Sequence, residues 1–338
     1  MGIVKTYIHI SDLHFAGPTQ RFFYDRWARY FPVLDGLVGH DPNKLNYLEN
    51  TYGRLKATEP DVDLVVTGDL TAQSLDSEFD DAECFLETVT PAPTFYGLGV
   101  AAWKDLAVPG NHDQWPGIPF TPIGTCNARV RAIFPHTASV THSFTLANGV
   151  PVVFLELNGD ADVGAASPER VLARGSFVSA IHRLRNLLDR RDDREVRILL
   201  LHHSIEFPGR SYPFMTERPL SIDDPSRTEI EKLLSDYDIR VVLTGHAHEP
   251  FFVGPLQGVA GRAGFGVMES RCGTTTQRLK KRGLNSLFVH RVERDASTHT
   301  FIWRSSLYTH GASRSARFTA VGATCQGRTA EDRIQIFP

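Results

Sequence analysis

The chain has 338 residues, of which 41% are hydrophobic and 22% charged, the balance of a compact globular fold rather than a disordered one. Its formal net charge of -3 offers no general attraction to nucleic acid or to an anionic membrane, both of which favour a basic surface. No apolar run is long enough to span a bilayer and the first residues lack a secretory signal, so a cytoplasmic protein is expected.

In chain order, the first apolar run, Ile3 to Ile10, reads as a buried strand and leads directly into Ser11-Asp12-Leu13-His14. Phe15 to Glu59 carries two amphipathic helical patterns, the second opened by Asp41-Pro42, where a cap and a first-turn proline belong. Residues 15–60 are therefore read as a helical insertion or cap near the site. The strand Val62 to Thr67 runs into Gly68-Asp69, and a helix is expected over Phe79 to Val89. Leu106 to Val108 runs into Pro109-Gly110-Asn111-His112-Asp113. Val140 to Leu146 and Val150 to Leu157 form a predicted hairpin through Asn148-Gly149, a dipeptide suited to a type I′ turn.

After a helix over Phe177 to Arg190, the strand Val196 to Leu201 meets His202-His203 and a Pro-, Gly- and aromatic-rich loop, Ile205 to Pro219. A helix over Thr228 to Tyr237 follows, with Ser226 and Glu229 at capping-box spacing. Ile239 to Thr244 then leads into Gly245-His246-Ala247-His248. From Phe288 to Phe318 strand-like runs return, read as a second sheet or an edge. Strands alternating with helices predict an α/β architecture. The whole of 1–338 is read as a single domain, with 250–338 supplying strands that complete the second sheet. Cys84, Cys126, Cys272 and Cys325 are scattered, form no C-x-x-C pair, and read as reduced structural thiols.

Five predicted strands end in residues able to bind metal, and ligands of open α/β sheets gather at the carboxyl ends of strands. Asp12 and His14, like His246 and His248, are two apart, and in extended chain such residues face one side. Gly68, Gly110 and Gly245 precede ligand candidates where the backbone must turn sharply or approach an ion closely. Imidazoles, carboxylates and one amide oxygen suit manganese, iron, zinc and similar ions, and exclude thiolate chemistry. Seven ligands exceed the need of one catalytic ion but serve two if a carboxylate bridges them. Each motif alone has an ordinary explanation: a solvated loop, a Gly-Asp turn, a pair of packed histidines. All five together, each at a strand end, do not.

Taken in order, Asp12-x-His14, Gly68-Asp69, Gly110-Asn111-His112-Asp113, His202-His203 and Gly245-His246-x-His248 resemble the motif set of the calcineurin-like metallophosphoesterases over residues 8 to 248. The resemblance implies a four-layer α/β/β/α sandwich of two mixed β-sheets flanked by helices. It implies that Asp12, His14 and His248 hold one ion, that Asn111, His202 and His246 hold the other, and that Asp69 bridges them. His203 stands as the substitute for His202. His112 matches the family's non-ligand catalytic histidine. The implied cofactors are two divalent or trivalent ions (manganese, iron, zinc or similar), and the implied reaction is phosphoester hydrolysis by a metal-bridging hydroxide.

Gly68-Asp69-Leu70-Thr71 with Gly110-Asn111-His112-Asp113 is similar to the cyclic-nucleotide phosphodiesterase branch, which implies a small phosphodiester substrate such as a nucleotide. Protein phosphatases carry an arginine after the Gly-Asp and a glutamate after the Asn-His, where this chain has Ala72-Gln73-Ser74 and Asp113. The alternatives are a phosphomonoesterase, a nuclease, or a non-catalytic binding module on the same fold. Arg21, Arg26, Arg29, Arg210 and Tyr212 are basic or aromatic residues of the two overhanging segments, read as solvated surface.

Overall fold

The computed structural model describes residues 2–16, 39–88, 97–116, 125–205, 220–253, 266–276, 285–295, 297–298, 300–310, 317–321, 324–325, 328–329 and 331–337. Two sheets carry the fold. In the first, β1 (Gly2–Ile10) pairs in parallel with β2 (Val62–Thr67), which pairs in parallel with β3 (Ala107–Val108). The second is built on β4 (Ala138–Thr145), β5 (Pro151–Leu157), β6 (Val196–Leu201), β7 (Val241–Thr244), β8 (Phe251–Val253) and β9 (Met268–Arg271), in the order β4-β5-β6-β7-β9-β8.

The C-terminal strands do not stand apart. β10 (Asn285–Arg294) pairs antiparallel with β1, and β11 (Phe301–His310) pairs with β10, so that β1 lies in the interior of the first sheet. β12 (Thr319–Ala320) also pairs with β11, β13 (Thr324–Cys325) and β14 (Arg328–Thr329) form a separate ribbon, and β15 (Glu331–Phe337) adds to β11.

Strand alternation sends side chains to two different cores, and the result is four layers. Tyr7, Val65, Val152, Phe154, Ile198, Leu200 and Trp303 fill the space between the sheets. Their neighbours Ile8, Leu64 and Val66 point the other way, against the helices α1 (Pro42–Thr58) and α2 (Asp76–Glu87), with Leu48, Leu55, Phe79 and Phe85. On the far side Val153, Leu155, Leu199 and Val242 pack on Ile181, Leu184, Ile230 and Leu233. Short helices α3 (Asn111–Gln114), α4 (Ala128–Ile133) and α5 (Pro168–Leu172) precede the two that supply those residues, α6 (Val178–Leu188) and α7 (Asp224–Asp236). The arrangement is the expected sandwich of two mixed sheets between helices.

Local details amend the sequence reading at two turns. Ser226 is not the cap of α7. Asp223 is, its side chain accepting from Ser226 N–H at 2.9 Å, while Ser226 Oγ accepts from Phe177 N–H and so ties α7 to α6. The β4–β5 connection is not a type I′ turn, which needs positive φ at both central residues. Only Gly149 has it, at 84°, and the Leu146 N–H to Val150 O bond closes a three-residue loop around it. Asp41 caps α1 through Asn43 N–H, with Pro42 at the first position as expected. The first helical pattern of the 15–60 segment, most of the Ile205 to Pro219 loop, and Arg21, Arg26, Arg29, Arg210 and Tyr212 lie outside the described residues.

Candidate metal centre

Because β1, β2 and β3 run parallel, and β6 and β7 run parallel, the five motif loops leave the sheets at strand carboxyl ends and meet. Two groups of donors result, Asp12, His14, Asp69 and His248 in one and Asp69, His202 and His246 in the other, with Asp69 common to both. Asn111 joins the second through Oδ1, 3.2 Å from His202 Nε2. In the first group Asp12 Oδ1 lies 3.1 Å from His248 Nε2 and 3.7 Å from His14 Nε2, which is 3.2 Å from His248 Nε2 and 3.9 Å from Asp69 Oδ2. In the second, His202 Nε2 is 3.3 Å from Asp69 Oδ2 and 3.1 Å from His246 Nδ1.

Those spacings match the edges of a coordination polyhedron, since bonds of about 2.1 Å give donor-to-donor edges of roughly 3.0 Å in an octahedron and 3.4 Å in a tetrahedron. Two buried carboxylate oxygens supply a second test of fit. Asp12 Oδ1 and Asp69 Oδ2 have no hydrogen-bond partner, although a buried polar atom normally has one. The other oxygen of each is held by a backbone N–H from a different motif, Asp12 Oδ2 by His246 at 3.1 Å and Asp69 Oδ1 by His112 at 2.9 Å. Each carboxylate is thus pinned at one end and presents the other to the shared space.

The histidines are oriented in the same manner. His202 donates Nδ1–H to the Thr67 carbonyl at 2.6 Å and His246 donates Nε2–H to the Ala173 carbonyl at 3.0 Å, which leaves His202 Nε2 and His246 Nδ1 as the inward nitrogens. Such outer bonds fix the ring and its tautomer. Burial pushes His246 down to about 3 and His14 down to about 4, so both are neutral donors at ordinary pH. Burial also acts against a charged His202, but the adjacent Asp69 carboxylate outweighs it and raises that group to about 10. Asp69 and His202 are the residues that would hold a cation here, which would take the place of that proton.

The backbone achieves the convergence by a route that strand alternation does not describe. Asp12 (φ 54°), His14 (52°), Asp69 (51°), His246 (68°) and His248 (55°) all occupy the left-handed region. Non-glycine residues are uncommon there and pay for it in strain, which concentrates at functional sites. The reading that Asp12 and His14, or His246 and His248, face one side as extended chain is therefore corrected: β1 ends at Ile10 and β7 at Thr244, and coiled loops do the aiming. The glycines serve packing between these loops. A Cβ on Gly110 would meet Asp69 Oδ1 at 2.1 Å, and one on Gly245 would meet Ser11 Oγ at 1.9 Å.

His112 stands beside the first group, its ring 4.9 Å from that of His14, and donates Nδ1–H to the Ala72 carbonyl at 2.9 Å. Its Nε2 is the nitrogen left for chemistry. Asp113 joins the second and third motifs, accepting from Thr71 N–H (2.9 Å), Thr71 Oγ–H (3.0 Å) and Gly110 N–H (2.9 Å). His203 points elsewhere, toward Asp160 at 3.8 Å and the His246 ring, and joins neither donor group.

Comparison with known proteins places the chain. The model of the family described as calcineurin-like phosphoesterase matches residues 5–250, most of the chain. The chain belongs to the calcineurin-like phosphoesterase family. Membership makes it a metal-dependent phosphoester hydrolase in outline, acting on phosphoester substrates. Among solved structures it is similar to the Plasmodium protein GAP50, described as the anchor in the inner membrane complex, with a TM-score of 0.50 at 10% identity over 94% of this chain and 88% of that one. It is also similar to the phosphopantetheinyl hydrolase of Mycobacterium tuberculosis, with a TM-score of 0.40 at 14% identity over 83% and 98%. No curated protein matches it in sequence. Among the described residues no helix is long and apolar enough to cross a membrane.

Several parts of this calcineurin-like phosphoesterase site are not marked in the sequence. Trp115, Arg170 and Asp160 line a niche with Asn111 and His112, the Arg170 guanidinium lying 4.6 Å over the Trp115 ring. Burial raises Asp160 to about 7. Trp115 and Asp160 come from turns and Arg170 from α5, with no metal-ligand spacing among them, and only their place in the fold reveals them.

Proposed function

We propose that this protein hydrolyses a phosphodiester, a cyclic nucleotide or a comparable small molecule, with two metal ions. In this reading Asp12, His14 and His248 hold one ion, Asn111, His202 and His246 hold the second, and Asp69 contributes to both. The observation that carries it is the pair of donor groups sharing Asp69, each at coordination spacing and each with an oxygen that lacks any other partner. Two such ions, of manganese, iron, zinc or a similar metal, would supply Lewis acidity and activate water for in-line displacement.

The side chains then have definite tasks. Asp12 and Asp69, each pinned through one oxygen, hold their other oxygens still, so little reorganisation accompanies binding of an anionic substrate. His112, fixed through Nδ1–H, presents Nε2, which in the imidazolium form donates its proton to the departing alkoxide and leaves the neutral ring. The inward nitrogens of His202 and His246 stay fixed because their outer bonds run to main-chain carbonyls. A diester is favoured by the likeness of Gly68-Asp69-Leu70-Thr71 and Gly110-Asn111-His112-Asp113 to the cyclic-nucleotide phosphodiesterase branch, two motifs that the Thr71–Asp113 bond joins here.

The test is reconstitution of metal-free protein with manganese, iron or zinc, followed by ion analysis and turnover of bis(p-nitrophenyl) phosphate, p-nitrophenyl phosphate and cyclic nucleotides. Two ions per chain and faster cleavage of the diester are expected. A monoester preference overturns the diester assignment, and fewer than two ions after loading overturns the dinuclear one.

A further inference from the structure

The loop that carries Asp12 and His14 is held from a segment that lies beyond the residues matched by the family model. Its N–H groups bond to the neighbouring motif: Asp12 N–H to the Gly68 carbonyl and His14 N–H to the Asp69 carbonyl, both at 3.0 Å. Its carbonyls turn the opposite way, to three consecutive threonines following β9. The Ser11 carbonyl accepts from Thr275 N–H at 3.0 Å, the Asp12 carbonyl from Thr274 Oγ–H at 2.9 Å, and the Leu13 carbonyl from Thr276 Oγ–H at 2.8 Å. Ser11 N–H adds a bond to Thr275 Oγ at 3.1 Å. All three threonines are wholly buried.

The threonine segment is itself anchored on two sides. Ser286 N–H of β10 donates to the Thr274 carbonyl at 3.0 Å, and Asp41 N–H, at the cap of α1, donates to the Thr276 carbonyl at 2.7 Å. Two hydroxyls, of Thr274 and Thr276, and the Thr275 N–H therefore satisfy every carbonyl of residues 11–13. That matters because Asp12 and His14 sit at φ of 54° and 52°. A strained conformation persists only where its surroundings over-determine it, and here those surroundings are the threonines on one side and the Gly68–Leu70 loop on the other.

We propose that Thr274, Thr275 and Thr276 are a positioning element for the ion site formed by Asp12, His14 and His248, holding the backbone that aims two of its donors. The proposal rests on the reading that those residues bind an ion. In this proposal the threonines act through the backbone of residues 11–13 and not as ligands. The bonds just described run to the backbone of residues 11–13, beside the first donor group, so their loss should affect the two sites unequally.

The experiment uses the full chain, stripped of metal and reloaded with manganese, in wild-type form and as Thr274→Val, Thr276→Val, the double valine variant, and the double serine variant. Valine keeps the shape and removes the hydroxyl. Serine keeps the hydroxyl. Readouts are manganese bound per chain, the two stepwise dissociation constants, and circular dichroism with Tm. The expected result is that the double valine variant stays folded, keeps one ion near wild-type affinity and binds the other at least tenfold more weakly, while the serine variant retains both. Should the double variant not fold, the single valine variants are expected to show the same one-site weakening in smaller measure. Valine variants that hold both ions with wild-type affinity, or serine variants that lose the ion as valine does, overturn the proposal. A wild-type chain that fails to take two ions instead overturns the dinuclear reading, and the two failures are thereby distinguished.

Discussion

Gly68 and Gly149 share almost the same backbone, with φ of 85° and 84°, but a Cβ at Gly149 meets nothing within 4 Å. At Gly68 it meets Gly110 N at 2.5 Å and His202 Nδ1 at 2.7 Å. Gly149→Ala should therefore cost only the conformational strain of a left-handed residue, about 1–2 kcal/mol, with activity unchanged. Gly68→Ala should cost well above that and lose metal as well, because two motif loops are forced apart. Urea denaturation with metal analysis checks both, and equal costs at the two positions would reject the packing role. His112→Ala should keep both ions and lose roughly 10²- to 10⁴-fold in turnover, measured by steady-state kinetics beside ion counts. At this scale the sequence was most informative about chemistry and least about geometry. Asp12, Asp69 and His248 are legible as donors from residue type and motif, whereas their left-handed backbone is not, because Asp and His, though enriched at positive φ, are far commoner elsewhere. The choice of His202 over its neighbour also needed the fold, since only the course of β6 decides which ring turns inward.

Secondary-structure elements carry a buried imidazole pair whose behaviour with pH follows from its surroundings. His9 of β1 and His290 of β10 lie 3.2 Å apart between Nδ1 and Nε2, with Thr67 Oγ at 2.8 Å on one side and Ser305 Oγ at 2.7 Å on the other. Burial pushes His9 down to about 3, against the pull of Asp12, and holds His290 well below the ordinary histidine range, with His9 and Arg291 adding to the effect. Both folded values are depressed, so the unfolded chain takes up protons first. Stability is intact above the unfolded value of about 6.5 and falls as pH drops from there toward 3, by about 1.4 kcal/mol per pH unit for each histidine. Urea midpoints at pH 7 and pH 5 should show this loss, and His290→Gln should make the decline shallower. The element scale was largely legible. The bounds of β2 and β6 follow from the largely apolar runs Val62 to Thr67 and Val196 to Leu201, each interrupted by one charged residue, Asp63 or Arg197, because strands buried on both faces are mostly apolar. Turn chemistry was less so: Asp223 and Ser226 both suit a cap, and only the Ser226 bond to Phe177 N–H shows which of them is engaged elsewhere.

Across the whole molecule, the first sheet closes by bringing the far end of the chain to its beginning, with Gly2 opposite Arg294 and His9 opposite Phe288. The motifs all lie before residue 250, and the strands that follow read from sequence as completing a second sheet or an edge, without showing which strand they join. No local pattern announces that β10 pairs with β1, since pairing between distant strands leaves no trace in either strand's composition. A fragment ending at residue 250 keeps every donor but loses β9, β10, β11 and the threonine segment. It should therefore neither fold cooperatively nor retain manganese, as circular dichroism and ion analysis would show; a folded, metal-loaded fragment would contradict the dependence. Because β1 finds its antiparallel neighbour only when β10 has emerged, the donors made earliest on the ribosome must wait for a strand made long after them before they are held in place. Assembly of the donor groups is consequently governed by slow non-local pairing rather than by the early appearance of their residues.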